Sequence, residues 1–255
     1  MFDLISGQVF IVGIVIGASA ALLGVFVILR RMALISDALS HVALPGMAIA
    51  IVLGFNPFIG AAALLAVAIL GVFWVGRRVT LATETIIGVF FTAALAFGLL
   101  LIPREDLLEA LFGDISQLTF ANAMTALVGG GLIAVLILIF FRDFAKVTFS
   151  ADLAFSEGIA VNQTNLLFLF LLAGTVALGI KAIGTLLMGA LIIIPAAAAK
   201  NLSSGLRMMT ILSLIIGVSS VLVGFLFSKF FGLPPGPAVV LVGSVFFIIS
   251  LIFRK

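Results

Sequence analysis

Charged residues in this chain come in short groups separated by long stretches that contain none. Residues 4–29, 42–76, 85–103, 115–141, 158–180, 182–199, 208–228 and 230–253 hold no Asp, Glu, Lys or Arg. About 20 apolar residues of helix cross the hydrocarbon core of a bilayer, and most of these runs reach that length. Backbone inside lipid must satisfy its own hydrogen bonds, so the runs are expected to be helices. A closed barrel would alternate apolar and polar positions, and a segment such as Leu132-Ile133-Ala134-Val135-Leu136-Ile137-Leu138-Ile139 does not. The run 42–76 is too long for one crossing and is divided by Gly54-Phe55-Asn56-Pro57, a turn signal. The pattern predicts nine spans, near 9–29, 33–53, 58–76, 84–102, 121–141, 163–180, 182–199, 208–228 and 237–253. The sixth and seventh have almost no loop between them; if one fails to cross, eight remain and both termini lie on the same side.

Composition sharpens this into an all-α, polytopic membrane protein of eight to nine helices. Hydrophobic residues make up 64% of the 255, charged residues only 9%, and mean hydropathy is +1.48, against roughly 25% charged in a soluble domain. Lys and Arg favour the cytoplasmic side. With the N-terminus outside, Arg30, Arg31, Arg77, Arg78, Arg142, Lys146, Lys200, Arg207, Arg254 and Lys255 lie inside, and only Arg104, Lys181 and Lys229 outside. The C-terminus is then cytoplasmic. Asp3 is the only charge in Met1–Phe10, so the first run is expected to be a span and not a cleaved leader. The absence of cysteine excludes disulfides and thiolate metal sites. Neither an internal repeat nor a linker is evident, so residues 1–255 are expected to form one transmembrane domain, in a lipid bilayer and with no nucleic-acid partner.

Two connections have patterns of their own. The outer one, 103–119, carries Arg104, Glu105, Asp106, Glu109 and Asp114, with Leu107, Leu108, Leu111 and Phe112 on one helical face. It could dock a partner or lie solvated at the interface. The inner one, 142–158, holds Ser150 as a candidate N-cap, Asp152 in the following turn and Gly158 as a stop, which predicts a short helix outside the bilayer.

The second span contains the strongest candidate chemistry. His41, the only histidine, follows Asp37 by four residues, so both share a helix face. If the helix enters the membrane near Ala33, its rise places Asp37 about 6 Å and His41 about 12 Å deep. Ionisable groups there are costly and usually face a polar cavity. Pro45 cannot donate to the carbonyl of residue 41; with Ser40 and Gly46 it forms a candidate pore or kink stretch. Imidazole suits zinc and iron, and oxygen donors suit manganese, so Asp37 and His41 are candidate metal ligands. The plain alternative pairs Asp37 with a nearby Arg and leaves His41 as a neutral packing residue. Glu84 is a weaker candidate acid, equally explained by the helix dipole. Pro195 breaks an apolar run, as at transport sites or in a simple kink.

No Gly-rich loop ending in Gly-Lys-Ser/Thr is present to cradle ATP, nor a His-Glu-x-x-His pair or Gly-x-Ser-x-Gly elbow. The stretch Arg30-Arg31-Met32-Ala33-Leu34-Ile35-Ser36-Asp37-Ala38-Leu39-Ser40-His41-Val42-Ala43-Leu44-Pro45-Gly46 resembles the permease subunits of bacterial ABC-type zinc/manganese/iron importers. Further similarity lies in Thr83-Glu84-Thr85-Ile86-Ile87-Gly88, in residues 111–115, 151–159 and 183–196, and in Leu233-Pro234-Pro235-Gly236-Pro237-Ala238. Ser36 stands where glycine is commoner in that family.

The resemblance implies a permease fold like that of cobalamin and siderophore importers. It implies a second permease copy, two separate ATPase chains that bind ATP, an extracytoplasmic metal-binding protein, and a bacterial plasma-membrane location. The cargo would be zinc, manganese or iron, with no permanently bound cofactor. Residues near 148–160 match a coupling helix, which assigns Ser150, Asp152, Ala154, Glu157 and Gly158 to ATPase contact, while Asp37 and His41 match the metal path. A permease for metal chelates, an ion-coupled secondary transporter and a membrane-embedded enzyme are the alternatives.

Overall fold

The computed structural model describes residues 7–81, 83–101 and 119–253, all helical or in short turns. The amphipathic outer segment near 103–119 therefore lies outside the described residues, Thr119 apart. In chain order the helices are α1 (Gly7–Leu29), α2 (Leu34–Val52), α3 (Pro57–Gly76), α4 (Thr83–Leu101), α5 (Phe120–Ile139), α6 (Phe141–Phe149), α7 (Ala151–Ser156), α8 (Val161–Ile183), α9 (Thr185–Leu202), α10 (Leu206–Phe231) and α11 (Pro235–Ile252). The nine long ones fall on the nine predicted spans. Seven have the length and apolar composition to cross a membrane, and the other two, α4 and α9, contain the shorter apolar stretches Thr83–Phe97 and Leu187–Leu202. The chain is a multi-pass, all-α membrane protein.

Local chemistry sets the ends. Asn56 caps α3 by accepting from Phe58 N at 2.9 Å, with Pro57 at the first helical position. Between α2 and α3, Phe55 N–H donates to Ala50 O and Gly54 N–H to Ile51 O, with Gly54 at φ +74°: the left-handed stop that glycine favours. The corner between α1 and α2 closes the same way, Met32 N–H to Val27 O and Arg31 N–H to Ile28 O, but its left-handed residue is Arg31 at φ +57°. An L-residue there carries roughly 1–2 kcal/mol of strain.

In lipid, helices gain little from hiding apolar surface from one another and rely on close packing and interhelical hydrogen bonds. The α1 helix is the centre of this packing. A Cβ on Gly24 would overlap the carbonyl of Ile192 in α9, and one on Gly13 or Gly17 would press on Val221 of α10. Ser19 Oγ donates to Gly130 O of α5 at 2.8 Å, and Ser213 Oγ of α10 to Ala21 O at 2.8 Å. These registers run α1 antiparallel to α10. Gly129 meets Leu178 while Gly174 meets Ile133, so α5 and α8 are antiparallel too. The nearly loopless pair forms a hairpin: Gly179 of α8 faces Met188 of α9 across the single buried residue Gly184, at φ +90° and ψ 162°, a conformation essentially confined to glycine.

Candidate functional site

Asp37 stands in the first turn of α2, and His41 one turn further. His41 Nε2 lies 3.8 Å from Asp37 Oδ1, beyond hydrogen-bond length, so neither side chain occupies the other's donor atom. The carboxylate is 51% exposed and the imidazole 24%, whereas their neighbours Ser36, Ala38, Leu39 and Ser40 are all buried. The helix thus buries most of its girth and leaves its two ionisable groups on the open strip. Among the described residues no arginine reaches Asp37; Arg30 donates instead to Thr148 and Asn165. The arginine-paired reading of Asp37 therefore has no geometric support. The His41 ring leans on Phe91 of α4, centroids 5.5 Å apart at 56°, and its Nδ1 is buried without a hydrogen-bond partner. On the other side α9 comes close through Gly189, where a Cβ would sit 3.4 Å from Asp37 Oδ1. Alanine would just fit there; anything longer would reach the carboxylate.

The remaining candidates spread out. Ser40 is buried and donates back to Ser36 O at 2.9 Å within its own helix. The α2 helix continues uninterrupted through Pro45. Gly46, expected to loosen the helix, instead makes a close crossing: a Cβ there would press on Gly60 of α3, and one on Gly60 would overlap Gly46 O. Pro195 is buried and lines a small cavity with Ser220 of α10 and Val239, Val240 and Gly243 of α11, away from the open strip. Glu84 is exposed in the first turn of α4. Phe91, which meets His41, lies seven residues on, roughly 10 Å of helix.

The inner connection folds as two helices, not one. Before Ser150, Phe141–Phe149 forms the amphipathic α6, with Phe144 and Val147 buried. Ser150 alone separates it from α7, and its Oγ accepts from Leu153 N at 3.2 Å. After Ser156, Ile159 N–H donates to Ala154 O and Gly158 N–H to Phe155 O, with Gly158 at φ +82°. Lys146 and Glu157 form an ion pair that fastens the two ends of this unit. Ala154 is fully buried, whereas Phe149, Leu153 and Phe155 are 68%, 58% and 75% exposed.

The sequence model of the ABC 3 transport family matches residues 2–254. The chain belongs to that family. Among its relatives is a manganese transport system membrane protein of Listeria innocua, 33% identical over 247 residues, covering 95% of this chain and 88% of the relative. Another is a high-affinity zinc uptake system membrane protein of Haemophilus influenzae, 32% identical over 250 residues and covering 95% of both chains. The fold superposes on PsaBC from Streptococcus pneumoniae, solved in complex with a Fab, with a TM-score of 0.83 at 32% identity, covering 95% of this chain and 89% of that one. The chain is accordingly an ABC 3 permease, a membrane-spanning transport subunit.

In this ABC 3 permease, the structure brings out two groups of residues that the sequence did not single out. One is the trio Phe149, Leu153 and Phe155, which the sequence places in a short helix outside the bilayer and which the structure shows to be exposed on it. The other is Gly189, one of many glycines until α9 is laid against Asp37.

Proposed function

We propose that this permease moves manganese or zinc into a bacterial cytoplasm through a pore shared by two copies of the chain. The observation that carries this is the Asp37–His41 pair on the open strip of α2. Its donors are one carboxylate and one imidazole, a set that suits divalent first-row metals. Among the described residues no third His, Cys, Asp or Glu joins them. A two-fold pair of chains presents each residue twice and would supply two carboxylates and two imidazoles, enough to receive an ion yet open enough to release it. The names of the manganese and zinc relatives agree with that donor set.

The N-terminus lies outside and the C-terminus inside, supported by the ten-to-three bias of positive charge and by the antiparallel packing of neighbouring spans. That orientation puts α7 in the cytoplasm, where Phe149, Leu153 and Phe155 form an apolar tip held out by the Ser150 cap, the Gly158 stop and the Lys146–Glu157 pair. Two ATPase chains would receive these tips, and an extracytoplasmic binding protein would deliver the ion from above. Phe155→Asp is expected to abolish co-purification of the ATPase while leaving the amount of permease in the membrane unchanged. Retention of the ATPase at its normal ratio would remove α7 from the interface.

The deciding test is the content of manganese, zinc and iron in metal-limited cells, measured by elemental mass spectrometry with overlapping uptake systems removed. Loss of manganese or zinc on deletion of this chain is the expected result. Unchanged content of both, with loss of a chelated form instead, would overturn the bare-ion reading.

A further inference from the structure

We infer that Arg30 is a positioning residue for transport: it ties the two arms of the cytoplasmic coupling segment to the helix that bears Asp37 and His41. This rests on the permease reading above. Arg30 follows α1 directly. Its Nε donates to Thr148 Oγ1 at 2.9 Å and its Nη1 to Asn165 Oδ1 at 2.9 Å. Thr148 lies in α6, two residues before the Ser150 cap, and Asn165 lies in the first turns of α8. One guanidinium therefore holds the segment that runs into α7 and the segment that runs out of it. The same plane lies over the Phe168 ring, 4.3 Å from its centroid. Behind it, Phe26 of α1 packs edge-on against Phe141 and Phe144 of α6 and Phe168 of α8, at 5.2, 5.7 and 6.5 Å. Phe26, Phe144 and Phe168 are fully buried, so α1, α6 and α8 meet there as one packed body.

On its other side Arg30 enters the tight corner described above. The corner's paired hydrogen bonds and its left-handed Arg31 fix the chain between α1 and α2, and Asp37 follows in the first turn of α2. A displacement of the α7 tip thus has a short mechanical route: Ser150, Thr148, Arg30, the corner, Asp37.

The chemistry at Arg30 is more than packing requires. The side chain is largely buried, and burial pushes its guanidinium down to about 10, so it is still a cation at physiological pH. Among the described residues no carboxylate pairs with it, and its Nη2 is buried without a hydrogen-bond partner. A buried cation held only by a hydroxyl, an amide oxygen and a ring face is costly. An apolar side chain would fill the space at lower cost. Arginine also serves three partners in fixed directions, which the single ammonium of lysine cannot do.

The test uses the whole complex, permease with its ATPase and binding protein, in lipid vesicles, reading manganese or zinc imported per ATP hydrolysed. Arg30→Lys should assemble normally and hydrolyse ATP within about twofold of wild type, while the import ratio falls about tenfold, the scale of a typical coupling between sites. Thr148→Val should lower the ratio in the same direction, and adding it to Arg30→Lys should lower it little further, because the two residues act as one unit. Import and hydrolysis falling in parallel in both single variants would mark a merely structural role and overturn the proposal. If Arg30→Lys does not assemble, Thr148→Val decides: a normal ratio overturns it. A wild-type complex that imports neither ion overturns the functional reading itself, and this inference with it.

Discussion

Cells carrying Asp37→Asn or His41→Ala should take up no more manganese or zinc than cells lacking the chain, with permease present in the membrane at its normal level. Asp37→Asn keeps the shape of the side chain and removes its charge. In a two-fold pore His41→Ala removes two of four donor groups at once, and Asp37→Asn strips the negative charge from the other two. Losing even an outer partner of a metal ligand costs about 10–100-fold in affinity, so losing the ligands themselves should cost at least as much. Neither side chain is fully buried, the carboxylate being 51% and the imidazole 24% exposed, and the imidazole gives up only its contact with Phe91, so the fold should be retained. Glu84→Gln, altering an exposed acid at the start of α4, should leave uptake within about twofold, a change that needs only a few tenths of a kcal/mol. Normal uptake in both Asp37→Asn and His41→Ala would remove the pair from the ion's path.

The other large effect concerns the fold. Gly24→Val should empty the membrane of correctly assembled protein. The new Cβ would overlap the Ile192 carbonyl, and Ala196 Cβ would crowd it at 3.2 Å. A clash with backbone cannot be relieved by a rotamer change, so α1 and α9 would have to separate at the centre of the bundle. The cost should reach or exceed the upper end of overpacking, about 3 kcal/mol. Gly131→Ala on α5, where nothing lies within 4 Å, should match or exceed wild type. The amount of detergent-solubilised protein that survives heating separates these outcomes; equal survival of Gly24→Val and wild type would mean that the α1–α9 approach is not required.

The spans could be read from sequence because the charges that interrupt them are rare, and a lipid solvent leaves an uncharged run of that length few other structures. The pair Asp37 and His41 stood out as ionisable groups inside a predicted span. The packing could not. Gly24, Gly46, Gly60 and Gly189 look alike in a chain with 26 glycines, and only the register of a neighbouring helix shows what each one makes room for. Gly46 illustrates this: beside Pro45 it suggests flexibility, but against Gly60 it is a point of closest contact. The helix α6 was hidden because Phe141 reads as the end of the apolar run before it, while Arg142 and Asp143 read as the start of a loop. In the sequence Arg30 was one more cytoplasmic positive charge at the head of the 30–46 stretch, since burial and partners more than a hundred residues away leave no local trace.

The contact between His41 and Phe91 makes a reporter of the proposed transport path. The chain contains one histidine, so isotope-labelled imidazole would give a single set of magnetic-resonance signals against an otherwise silent background. The nearby phenyl ring displaces those signals through its ring current, by an amount that changes whenever α4 tilts away from α2. A diamagnetic ion such as zinc bound at a ring nitrogen shifts the nitrogen signals far more than a ring current can, so one side chain would distinguish an arriving ion from a moving helix.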